Sequence, residues 1–303
     1  MKKIKSFLKA SHRLQEFVLR SLLFAARMTP KFAVGGFCSV VAFLAYPLGK
    51  KDRNKIERNI DKILGIPAGS EESEDFQNRV LKHQICNSIE SLKASYNNDL
   101  ITVAGFDDMQ RRFQENLQKG KGLIIITAHM GSWEIAAYYC SLASDGKFSA
   151  LAKPSKLEAA TRLLDAYRLR MKTKTLWTDQ RSLLKTMAST LKNGEALGFV
   201  MDQRPDGRKG PIVDFMGQPT QFVVGPAWAS IRNGSPVVSV FCIRTGPWQY
   251  RMLCAELLPA DHGKTDSVEI TQIMASEIER IIRLHPEQWV WNYNRWQFED
   301  QKE

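Results

Sequence analysis

This 303-residue chain has no cysteine pair at CxxC spacing. Its five cysteines, Cys38, Cys86, Cys140, Cys242 and Cys254, are scattered and odd in number. Such a set builds neither a disulfide framework nor a zinc site, so reduced thiols, a cytoplasmic setting and no metal are expected. The patterns GxSxG, HExxH, GxGxxG and the P-loop are also missing. Their absence weighs against the commonest hydrolase, zinc-protease, dinucleotide and NTPase readings. Arg13, Arg20 and Arg27 interrupt any early apolar run, which argues against a cleaved signal peptide.

Acidic residues are scarce where the positive charge is dense. Residues 1–62 hold 14 Lys/Arg against 4 Asp/Glu, a net of +10 out of +11 for the whole chain. These charges interleave with "FVLRSLLFAARM" and precede the uncharged stretch "FAVGGFCSVVAFLAYPLG", residues 32–49. Basic residues beside an apolar helix favour an anionic membrane surface, and no nucleic-acid partner is expected. A bilayer span needs about 20 apolar residues. Residues 32–49 therefore read as a short single span, a helix half-sunk in the interface, or one packed on the protein.

Helical spacing dominates the first hundred residues. Ile4, Phe7, Leu8, Leu14, Phe17, Val18 and Leu22 fall on one such pattern over 3–28, and Ile56, Ile60, Ile63 and Leu64 on another. "PAGSEESED" reads as a loop before a helix over about 72–95. Past residue 104 the rhythm changes to short apolar runs: "GLIIIT", "FSALAK", "ALGFVMD", "PVVSVFCI" and "YRMLCAELL". Helix-like segments near 132–143, 156–171, 181–193 and 224–233 separate the first four, and a last helix covers about 266–284. This alternation predicts an α/β fold with a mostly parallel sheet flanked by helices. The expected division is a helical, basic, membrane-associating region over 1–103 and an α/β catalytic domain over 104–303.

The stretch "GLIIITAHMGSWEIAA", residues 122–137, carries the chemistry. Leu123–Thr127 reads as a central strand, and His129 lies just past its end, where α/β sheets present ligands. Gly131 permits a tight turn and Ser132 is placed to cap a helix from Trp133. On one continuous helix His129 and Glu134 would face about 140° apart. Across a strand–loop–helix junction they can meet, and a carboxylate on one imidazole nitrogen strengthens the other as a base.

His129 followed at this spacing by Glu134, together with "RLRMKTKTL" (168–176), "LLKTMASTLKNGEALGFVMDQRPDG" (183–207), "DFMGQPTQFVVGPAWASIRNGSPVV" (214–238) and "HPEQWVWNYNRWQ" (285–297), resembles the lipid A biosynthesis acyltransferases. The resemblance runs in order over nearly the whole chain. It implies an acyltransferase at the cytoplasmic face of a bacterial inner membrane, with no cofactor. The donor would be an acyl-carrier-protein thioester, with coenzyme A thioesters as the alternative. The acceptor would be a hydroxyl of a Kdo-lipid A type precursor or, with the same chemistry, a lysophospholipid, lyso-ornithine lipid or other glycolipid. An inert membrane-surface adaptor on the same fold is the rival class, disfavoured by the intact His129 and Glu134. A monomer is the default.

By that resemblance His129 is the general base and Glu134 its orienting partner. Arg168 and Arg170 correspond to an arginine segment suited to gripping acceptor phosphates, with Lys153 as a further cation. Asp202 and Gln203 match the family's acidic motif, and Asp202 either enters the site or satisfies loop amides. Arg204, Arg208 and Lys209 form a basic loop fit for acceptor phosphates or the acidic carrier protein. Arg204–Pro205 differs from the aromatic or acidic residue usual after this Asp–Gln pair in the family. His285 reads as structural: Trp289, Trp291 and Trp296 suit packing and an interfacial aromatic edge, and Glu287 and Arg295 a local pair or cap.

Overall fold

The computed structural model describes residues 16–17, 20–21, 23–155, 157–205, 207 and 210–296, the side chains of 43–48 excepted. Most of the pattern over 3–28 lies outside them, although residues 23–28 are helical. A 3-10 turn at Lys31–Ala33 leads to α1 (Val34–Leu48), α2 (Lys50–Leu64) and α3 (Glu71–Ala94). There follow β1 (Thr102–Ala104), α4 (Phe106–Leu117), β2 (Leu123–Thr127), α5 (Trp133–Ala143), β3 (Phe148–Ala152) and α6 (Glu158–Arg170). Then come β4 (Lys174–Trp177), α7 (Leu183–Lys192), β5 (Ala196–Val200), the hairpin β6 (Ile212–Phe215) and β7 (Gln218–Gln221), α8 (Gly225–Asn233), β8 (Val237–Gly246), β9 (Gln249–Leu258) and α9 (Ser267–Leu284).

Seven strands form one sheet in the order β1-β9-β8-β2-β5-β3-β4. Pairing is parallel except at β8–β9, so the α/β expectation with a mostly parallel sheet holds. β2 is central, flanked by β5 and β8. Its residues alternate between two cores, as a period of two requires. Ile124 and Ile126 join Phe76, Val80, Leu197, Phe241 and Ile278 on one face. Leu123 and Ile125 join Cys38, Ile89, Phe113, Ile135 and Val240 on the other. The strand is buried on both sides, and truncating one of these isoleucines to Ala would cost about 2–5 kcal/mol.

The N-terminal helices belong to these same cores. Ile56 and Ile60 of α2 are fully buried in the first, and α3 contributes to both. α2 ends at Gly65, whose left-handed φ of 70° lets its amide reach the Asp61 carbonyl. α3 begins at Ser70, whose hydroxyl accepts from the Ser73 amide. α1 has 15 residues, about 22 Å at 1.5 Å per residue, against a hydrocarbon core of about 30 Å. No helix among the described residues is long and apolar enough to cross a membrane, which corrects the single-span reading of residues 32–49. β1, β4 and the β6–β7 hairpin are short elements that the apolar runs do not mark.

Candidate active site

The site forms where β2 and β5 end side by side. Thr127 pairs with Val200 in parallel register, so His129 and Asp202 each lie two residues beyond a matched strand end. Asp202 is 3% exposed and accepts from His129 twice: Nδ1 at 2.7 Å and the backbone amide at 3.1 Å. The oxygen that takes the amide also accepts from Trp289 Nε1 at 2.8 Å. Burial by itself would raise the Asp202 pKa. The His129 charge and the His129 and Trp289 hydrogen bonds outweigh it and hold the carboxyl below its ordinary value. A carboxylate only accepts, so Nδ1 carries the hydrogen and, in the neutral imidazole, Nε2 keeps its lone pair. The His129 side chain remains 24% exposed.

The geometry differs from the sequence expectation at the orienting carboxylate. Glu134 does not take that place; Asp202 does. Both Glu134 oxygens accept from Arg168, from Nη2 at 2.7 Å and Nε at 3.0 Å. Glu134 lies in the first turn of α5, where its charge also suits the helix dipole. Arg168 is 5% exposed, and its guanidinium is committed to Glu134 and Thr175 rather than open to an acceptor phosphate. Arg170 reaches the C-terminus of α3, bonding Ser95 Oγ at 3.3 Å and stacking on Tyr96. Lys153 is exposed just past β3, and Gln203 and Arg204 are half-buried just past β5. Arg208 and Lys209 lie outside the described residues.

The loop after β2 is clamped from three sides. The segment after α9 pairs with it: Gly131 N donates to Gln288 O, Val290 N donates to His129 O, and Met130 bridges Trp289. Asn87 of α3 donates to the Gly131 carbonyl at 2.9 Å. Ser132 N donates to Cys242 O of β8 at 2.8 Å, but the Ser132 side chain makes no capping bond, contrary to expectation. Gly131 has φ 54°, and a Cβ there would come within 2.1 Å of Cys242 O, so only glycine fits this turn.

The "HPEQWVW" segment is structural as expected, with a more specific task. His285 caps α9, its amide donating to Ile281 and Ile282 carbonyls. Trp289, Trp291 and Trp296 are at most 4% exposed; Trp289 and Trp296 pack on Phe215 and Trp291 packs edge-on against Trp289, so they present no interfacial edge. Arg295 does not pair with Glu287. It is 1% exposed, stacks on Phe222 and donates to Gln221 O. Burial lowers its pKa to about 10, with the Asp202 charge opposing and Arg204 reinforcing. Trp289 and Gln288 thus hold the histidine loop and its carboxylate, a role that packing-type tryptophans in a sequence do not reveal.

Two recesses meet at Trp133, the ring that packs against His129. One, of about 140 Å³, is walled by Gln84, Asn87, Ser88, Trp133 and Glu134. The other is a narrow apolar slot of about 30 Å³ between α5 and the sheet, walled by Ala137, Cys140, Phe148 and Gly198. Trp133 borders both and meets the His129 ring edge-on, centroids 5.2 Å apart. An imidazole with a free nitrogen, one polar recess and one apolar slot is an arrangement for moving a proton beside a partly apolar substrate.

A sequence model of the bacterial lipid A biosynthesis acyltransferases matches residues 1–298. A phosphatidylinositol mannoside acyltransferase of Mycobacterium tuberculosis is 25% identical over 285 residues, covering 88% of this chain and 83% of its own. A phosphatidylinositol mannoside acyltransferase of Mycolicibacterium smegmatis is 27% identical over 175 residues, covering 57% of this chain and 56% of its own. The chain belongs to the bacterial lipid A biosynthesis acyltransferase family.

Proposed function

We propose that this acyltransferase moves a fatty acyl chain from a thioester donor to a hydroxyl of a membrane glycolipid, with His129 as general base and Asp202 as the residue that orients it. The carrying observation is the 2.7 Å Nδ1–Asp202 bond at the paired ends of β2 and β5, which leaves Nε2 available on a part-exposed ring. The acceptor O–H gives its proton to Nε2 while its oxygen bonds the thioester carbonyl carbon. Collapse of the tetrahedral intermediate breaks the C–S bond, and imidazolium returns the proton to the leaving thiolate. The Asp202 charge stabilises that imidazolium. No acyl-enzyme is required, because a thioester is already activated. Glu134 and Arg168 neutralise each other beside the polar recess and fix the start of α5.

The sequence puts a lipid A precursor first among acceptors, while the relatives are named for phosphatidylinositol mannosides. Glycolipid is the class common to both. The donor is taken to be an acyl-carrier-protein thioester, whose acidic carrier suits the half-buried Arg204 and exposed Lys153. Exposed Phe17, Phe24, Met28, Phe32 and Val40, set among basic residues, support docking on an anionic membrane surface. The test is a transfer assay with labelled acyl-carrier-protein and coenzyme A thioesters. A Kdo-bearing lipid A precursor, a phosphatidylinositol mannoside, lysophosphatidate and lyso-ornithine lipid would be offered, and products read by mass spectrometry. Gain of one acyl chain on a glycolipid supports the reading. Gain on lysophosphatidate or lyso-ornithine lipid alone moves the acceptor class, and no transfer from folded protein overturns it.

A further inference from the structure

A cavity of about 980 Å³ opens away from His129, between α1, the middle of α3 and the β8–β9 turn. It shares no lining residue with the recess beside Glu134. Its walls carry the cations Lys31, Arg79, Lys82 and Arg244 against the single carboxylate Glu90. Glu90 is 1% exposed and fully engaged: it accepts from Arg244 Nη2 at 2.6 Å and Nε at 3.0 Å, and from the Tyr250 hydroxyl at 2.6 Å. Arg79 has its partner, Asp75, on the exposed side of α3. Among the described residues neither Lys31 nor Lys82 pairs with a carboxylate; Lys31 lies over the Trp248 ring. His83 lines the same cavity, and its buried Nδ1 has no hydrogen-bond partner.

Two glycines keep this space open. Gly35 and Gly36 lie within α1, where glycine weakens a helix relative to alanine. A Cβ at either would meet nothing within 4 Å, so packing does not require them. Beside them, Phe32 is 91% exposed and borders the cavity, and Val40, Met28 and Phe24 are exposed on the same stretch. The surface therefore joins a cationic recess too large for one phosphate to an apolar rim.

We propose that this cavity binds the headgroup of an anionic phosphoglycerolipid. Its phosphate is held by Lys31 and Lys82, a headgroup hydroxyl reaches His83, and its chains run out along Phe32 and Val40. A charged phosphate meets unpaired cations in a recess whose one acid is already committed, which is the complementarity such a group needs. The apolar rim distinguishes a lipid from a soluble phosphate. Bound lipid would dock the N-terminal helices on the membrane independently of any acceptor in the active site.

The experiment is calorimetric titration of the full chain, in a non-ionic detergent, with dihexanoyl phosphatidylglycerol, dihexanoyl phosphatidylcholine and inorganic phosphate. Phosphatidylglycerol is expected to bind at least tenfold more tightly than either other probe. The Lys31→Ala/Lys82→Ala variant should weaken it at least tenfold. Gly36→Leu, whose Cβ would meet nothing within 4 Å and whose side chain intrudes on the recess while raising helix propensity, should do the same with no loss of melting temperature. Equal binding of phosphatidylcholine overturns the anionic assignment, and equal binding of phosphate overturns the lipid. Unchanged affinity in both folded variants, or no binding by the wild type, overturns the site.

Discussion

Replacing Asp202 by Asn separates the proposed roles of shape and charge. The carboxylate takes three hydrogen bonds, and two of the donors, His129 N and Trp289 Nε1, converge on one oxygen. In Asp202→Asn the new side-chain amide can satisfy those two only with its carbonyl. Its NH2 then faces His129 Nδ1, which must become the acceptor, and the ring hydrogen moves to Nε2. The hydrogen bonds survive, while the base is lost through the wrong tautomer and a missing counter-charge. Losses of this kind are about 10³–10⁴-fold in turnover, or about 4–5.5 kcal/mol of transition-state stabilisation. The assay is steady-state acyl transfer at saturating donor, with a thermal melt alongside. The melt should move little, since the site stays hydrogen-bonded. A folded Asp202→Asn enzyme within tenfold of wild-type turnover would refute the Asp202–His129 mechanism.

Two further outcomes follow from the same contacts. Arg168→Ala leaves the Glu134 carboxylate, 17% exposed, without its counter-charge and should cost about 3–5 kcal/mol in urea unfolding. Arg168→Met with Glu134→Gln should recover most of that loss, because no charge is then stranded. Acid should also expose Asp202. Its folded pKa lies below the ordinary 3.8, so the unfolded chain binds more protons between the two values and stability rises with pH there. The contribution is complete above 3.8 and lost as pH falls through the folded value. The small stability gap left between wild type and Asp202→Asn at neutral pH should therefore close on acidification; a gap that stays constant through that range would contradict the assignment.

The legible parts of the fold are those written in local pattern. Leu123–Thr127 is a continuous apolar run because both faces of β2 are covered, and amphipathic spacing marks α2 and α7 because one side faces solvent. β4, with only Leu176 buried, carries too little pattern to mark an edge strand. The site divides along the same line. His129 is legible from a strand end next to Gly131. Its carboxylate is not, because Asp202 reaches it through the adjacency of β5 and β2, and strand order is a property of the folded sheet. Glu134, close in sequence, looks like the partner, yet α5 starts after a turn that carries it toward Arg168. Trp289 reads as packing because it does pack; only the three-dimensional arrangement places its indole N–H on Asp202.

Single-turnover transfer by His129→Ala tests the proposed general-base role of His129. Labelled acyl-carrier-protein thioester would be mixed with excess enzyme and glycolipid acceptor, and acyl-lipid formation followed in time. A rate at least ~100-fold below wild type is expected, with donor and acceptor binding and the melting temperature nearly unchanged. Transfer at near-wild-type rate by folded His129→Ala would mean that the proton leaves the acceptor by another route.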